Sequence, residues 1–77
     1  MRMDTSADEE LVYNYILQQY NGSISRYLLE GYILYDLGRS PVRCYNILMN
    51  LVLKEKLFLV KGSDGEYYST QSEEPYV

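Results

Sequence analysis

The chain has no histidine, no tryptophan, one cysteine and one phenylalanine among its 77 residues. Each scarcity excludes something. Without histidine, the commonest metal ligand and the commonest general base at neutral pH are both missing. Cys44 alone can form neither an internal disulfide nor a cysteine-rich zinc site. No nucleophile–base pair, phosphate loop or paired-carboxylate motif is visible, so the expectation is a protein that is not an enzyme and needs no cofactor. The uninterrupted apolar runs are only a few residues long, too short to cross a bilayer. The stretch from Met1 to Ser6 lacks the apolar segment of a secretory signal. An intracellular, cytoplasmic setting without membrane contact is expected.

What is present is tyrosine and charge. Ten residues are tyrosine, enough to fill a half-wet core with hydroxyls reaching water, or to furnish a partner interface. Apolar residues make up 47% of the chain, enough for one small domain near the lower size limit for folding without staples. The net charge is −4, against the basic excess usual for nucleic-acid binders. The charge is unevenly spread, however. Residues 38–63 hold five cations (Arg39, Arg43, Lys54, Lys56 and Lys61) against the single acid Glu55. Asp4, Asp8, Glu9 and Glu10 gather at the start of the chain, and Glu73 and Glu74 near its end. A basic segment inside an acidic chain can bind phosphate while the rest stays clear of it.

Local signals order the elements. Ser6-Ala7-Asp8-Glu9 has capping-box spacing, which starts a first helix that runs to Tyr20 and stops at Asn21-Gly22. Its apolar positions form two rows, Leu11, Val12, Tyr15 and Ile16, and then Tyr13, Leu17 and Tyr20. Ser23-Ile24-Ser25 reads as a link able to add a short third strand, and Ser25 as the cap of a second helix that ends near Leu37. Gly31 is a weak point inside that helix, costing about 1 kcal/mol relative to alanine. Gly38 suits a left-handed helix end, Ser40 a cap and Pro41 a first helical position, which starts a third helix over 41–55. Lys61 to Gly65 supplies turn chemistry between two short strands.

On a helical wheel, Cys44, Ile47, Leu48 and Leu51 share one face of the third helix and should be core. Arg43, Asn46, Asn50 and Lys54 form a polar stripe on the far side, with Tyr45, Met49 and Leu53 along one edge. Arginine can bond guanine bidentately and asparagine can do the same with adenine, so the stripe has the donors and acceptors of base readout. A solvated polar face would have the same composition.

The run from Ser40 to Leu48, then Leu51-Val52 and Leu57, resembles the winged helix-turn-helix superfamily. There a polar cap precedes a small apolar anchor, an Ile-Leu pair, a further Leu and the first wing strand. The composition is also similar to small viral, phage or archaeal-type regulators. The resemblance implies an α+β fold: three helices followed by a two-stranded β-hairpin wing, with a short third strand near 23–25. It divides the chain into a disordered lead-in at 1–5, a winged-helix domain at 6–69 and an acidic flexible tail at 70–77.

It further implies a DNA-binding transcriptional regulator that reads the major groove with helix 41–55. Ser40, Arg43, Tyr45 and Asn46 would then face the groove, Arg39 the phosphates, and Lys61 would sit on the wing. Arg26 and Asn50 form a second tier. A single domain makes few phosphate contacts, so double-stranded DNA would be bound by a homodimer joined through Tyr13, Leu17 and Tyr20. The acidic wing tip, Ser63-Asp64 with Glu66 beside it, fits an alternative: a winged-helix protein–protein interaction module, a complex subunit or small viral inhibitor that binds no DNA.

Overall fold

The computed structural model describes residues 4–72. Helix α1 spans Ser6–Tyr20, strand β1 Ser23–Ser25 and helix α2 Arg26–Gly31, which continues as a wider π-helical turn over Tyr32–Asp36. Helix α3 spans Pro41–Leu53, and strands β2 (Phe58–Gly62) and β3 (Gly65–Ser69) close the domain. The fold is α+β: three helices and a three-stranded antiparallel sheet of order β1-β3-β2. That arrangement is compatible with a winged helix. The sheet includes the third strand expected near 23–25, with Ser23 opposite Ser69 and Ser25 opposite Tyr67. The hairpin closes at Gly62 opposite Gly65.

The start of α1 differs from the expected capping box. The cap is Thr5, not Ser6, and the Ser6 N–H donates to the Asp4 carboxylate at 3.0 Å. Glu9 does not reach back to Ser6. Its Oε2 accepts the Thr5 hydroxyl at 2.5 Å. Thr5 is 1% exposed, so the ordered domain begins inside the segment expected to be disordered. At the other end, Thr70 donates its backbone N–H to the Gly22 carbonyl at 2.8 Å, extending the pairing beyond β3 into the expected tail. Residues 1–3 and 73–77 of the expected lead-in and tail lie outside the described residues.

Turn chemistry works as the residue types require. Asn21 and Gly22 take left-handed angles after α1, and the Gly22 N–H returns to the Ile16 carbonyl at 2.9 Å. Ser25 caps α2 by accepting the Leu28 N–H. Helix two runs on through Gly31 but changes its repeat there: the turn widens, and the Leu37 N–H bonds five residues back to Tyr32 at 2.9 Å. Gly38 (φ 68°) then turns the chain, and Ser40 accepts the Arg43 N–H at 3.1 Å. Helix α3 ends at Leu53 rather than Glu55, whose φ of 59° is not helical.

The core lies where the three helices meet the sheet. Val12 and Ile16 of α1, Leu29 and Ile33, and Cys44, Ile47, Leu48 and Leu51 of α3 are buried together with Ile24, Leu57 and Tyr68. All four wheel-assigned residues of α3 are therefore core. Burial pushes the Cys44 thiol up from its ordinary pKa, which suits a packing role.

Candidate interaction site

Helix α3 was expected to carry a solvent-facing polar stripe. Three of the stripe's four residues, Arg43, Asn50 and Lys54, instead meet the start of α1. Asp8 and Glu9 are buried, at 3% and 6% exposure, and between them they collect three cations and an amide from the third-helix region. Asp8 accepts both Arg39 Nε and Arg39 Nη2 at 3.0 Å, and Arg43 Nε at 2.7 Å. Arg39 Nη1 also donates to the Leu37 carbonyl, and Arg43 Nη2 to the Asp4 carbonyl. Glu9 accepts Lys54 Nζ at 2.7 Å and Asn50 Nδ2 at 3.3 Å, and Asn50 also reaches the Thr5 hydroxyl at 3.0 Å. Bidentate and charge-assisted bonds of this kind are the strong ones.

The titration behaviour follows. Hydrogen bonds from Arg39, then Arg43, hold the Asp8 carboxyl below its usual range against the opposing effect of burial. For Glu9, burial pushes upward most, yet Lys54, Thr5 and Asn50 together overcome it and the net direction is down.

The remaining sequence candidates sit as follows. Ser40 is spent on the α3 cap. Asn46 is half-buried and donates to the Val42 carbonyl at 3.0 Å. Arg26 bonds Glu30 at 3.0 Å and Glu66 at 2.6 Å across the α2–hairpin junction. Lys61 is exposed on β2, in register with Glu66. Tyr45 is 62% exposed. Of the α1 trio expected at a dimer interface, Tyr20 packs against the chain's own core and against the Tyr15 ring, Tyr13 is half-buried and only Leu17 is open, at 41%.

With the polar stripe engaged, the open face of α3 is apolar. Val42 is 64% exposed, Tyr45 62%, Met49 36% and Leu53 72%. Their spacing of three, four and four residues keeps them on one side of the helix. Leu59 of β2, at 41%, stands beside them, and an open groove of about 410 Å³ between α2, α3 and the hairpin takes in Tyr45, Met49 and Leu59. Sequence reasoning placed Tyr45, Met49 and Leu53 at an edge and missed Val42. The missed signal was complementarity: two adjacent acids in the first turn of α1 matched an Arg/Asn/Lys stripe on α3.

Among the described residues no group of three or more metal-binding side chains is placed to hold an ion, and no helix is long and apolar enough to cross a membrane. Compared with protein-family models, with curated proteins and with solved structures, the chain matches none.

Proposed function

We propose that this chain is a winged-helix protein-interaction module that assembles with a second copy of itself through the open face of α3. The winged-helix reading rests on the element order, the β1-β3-β2 sheet and the short capped turn before α3. One observation carries the interaction reading: α3 turns Val42, Tyr45, Met49 and Leu53 outward, while Arg43, Asn50 and Lys54 are held by α1. A contiguous apolar surface with charge excluded from its centre is the composition of an interface core.

The arrangement is self-complementary. Val42 and Leu53 lie near the two ends of α3, and Tyr45 and Met49 flank its middle. A two-fold axis through the middle lays two α3 helices antiparallel, Val42 of each copy over Leu53 of the other. That geometry also sets the positive end of each helix dipole against the negative end of its neighbour.

DNA binding is the second reading, favoured by the helix-turn-helix order and by Tyr45 and Lys61, which remain exposed. It requires Arg39 and Arg43 to exchange Asp8 for phosphate or base. Sedimentation equilibrium and a duplex-DNA titration by fluorescence anisotropy separate the two. The interaction reading expects a concentration-dependent dimer that Leu53→Glu converts to monomer, and flat anisotropy at low salt. Anisotropy that rises at low salt and collapses as salt is added would favour the DNA reading, and a wild-type monomer at every concentration would refute the dimer.

A further inference from the structure

A second concavity lies on the other side of α2, where α2 and its π-helical turn face α1. Its volume is about 420 Å³ and five tyrosines line it. The Tyr15 and Tyr32 rings stack face to face at 3.6 Å with 4° between their planes, and Tyr20 tilts against Tyr15 at 5.5 Å. Hydrogen bonding to Tyr20 and burial push the Tyr15 phenol up to about 12, so the Tyr15 ring is neutral at physiological pH. Tyr27 and Tyr35 stand at the rim, 85% and 82% exposed. Gly31 lies midway between them in sequence, and a methyl group added there would meet nothing within 4 Å. The cleft therefore has an open backbone position at Gly31, with Tyr27 and Tyr35 both in its lining.

Its charge is of one sign. Glu30 and Asp36 line it, and no lysine or arginine does. Glu30 shares its Oε2 with Arg26, but the Asp36 carboxylate has no hydrogen bond or ion pair among the described residues. Burying two exposed rings against a purely apolar partner would leave both carboxylates facing it. A cation satisfies both features: ring faces attract it through their quadrupoles and the carboxylates neutralise it. The net charge of −4 draws such a partner in.

We propose that the cleft formed by Tyr27, Tyr35 and Asp36 around Gly31 is a binding site for an arginine or lysine side chain presented by an extended segment of a partner protein. Glu30 and Leu34 form the ridge shared with the α3 groove, but the inference does not depend on self-assembly through α3.

The test is a titration of the full chain, followed by amide chemical shifts at physiological salt, with a capped Gly-Arg-Gly-Arg-Gly peptide. The control peptide carries glutamine at both arginine positions. Shifts should concentrate at Tyr27, Gly31, Tyr35 and Asp36 and be absent with the control. Tyr27→Leu and Tyr35→Leu keep apolar bulk at highly exposed positions, so both variants should fold, which their spectra confirm directly. Each should weaken the arginine peptide about threefold, and the pair together about tenfold. Asp36→Asn should weaken it by a similar factor. Equal binding of the glutamine peptide, leucine variants that bind as tightly as the parent, shifts spread evenly over Glu55, Asp64 and Glu66, or no shift at any peptide concentration would each overturn the proposal.

Discussion

Replacing Asp8 by asparagine tests the polar seam between α1 and α3. Asp8 is buried and accepts three short bonds from two guanidinium groups. The asparagine keeps the shape but removes the charge and offers one acceptor oxygen where the carboxylate offered two. Stripping one partner from a fully buried ion pair costs about 3–5 kcal/mol. Here the Arg39 and Arg43 side chains are 35% and 34% exposed, so both can turn partly to water. That brings the expected loss to about 2 kcal/mol. A domain of this size has about 4–10 kcal/mol in total, and each kcal/mol shifts its midpoint by about 4–8 °C. Thermal unfolding followed by circular dichroism should therefore place Asp8→Asn about 8–16 °C below the parent. A double-mutant cycle with Arg43→Ala should return a coupling of about 1 kcal/mol, because Arg39 alone retains its bidentate hold. A midpoint within about 2 °C of the parent, or zero coupling, would mean that the seam is an incidental surface contact.

Three further outcomes follow from the geometry. Gly31→Ala should raise stability by about 1 kcal/mol in urea unfolding, since Gly31 has right-handed helical angles and its added methyl meets nothing. Gly22→Ala should lower it by about 1–2 kcal/mol in the same assay, because Gly22 has φ 94° and a Cβ there would lie 2.7 Å from the Thr70 hydroxyl. Stability should also fall in acid. The Asp8 and Glu9 carboxyls are depressed in the folded state, so their contribution is complete above their unfolded values near 4 and is lost as pH drops through the lower folded values. Unfolding midpoints measured from pH 6 down to pH 2 would show that decline, and Asp8→Asn should flatten it.

The elements that were legible in the sequence are those whose signals are local. The Asn21-Gly22 stop, the Ser25 and Ser40 caps, Pro41 at the start of α3 and the glycines of the hairpin each act within a few residues, and each stands where its chemistry places it. The core face of α3 was legible because Cys44, Ile47, Leu48 and Leu51 share one helical face. The choice between the other two faces of α3 was not legible. A stripe of Arg43, Asn46, Asn50 and Lys54 looks the same whether water, DNA or a neighbouring helix receives it. The outcome depends on Asp8 and Glu9, more than 30 residues away in sequence, and on a first helix that begins at Ser6 with Thr5 buried beneath it. Gly31 illustrates a related limit. Its low helix propensity was visible, but no local signal marked the π-helical turn that follows it, in which Ile33 joins the core and Tyr32 packs against it.

The most direct measurement on the open face of α3 is a cysteine trap. Met49→Cys lies near the middle of that face, where a two-fold axis would bring the two copies of one residue together. Cys44, the native thiol, is buried and stays out of the reaction. Under mild oxidation Met49→Cys should form a disulfide-linked dimer rapidly, while Leu17→Cys on the open face of α1 should remain monomeric. Trapping through Leu17→Cys but not Met49→Cys would move the interface to α1, and trapping at neither site would leave α3 without a second copy to face.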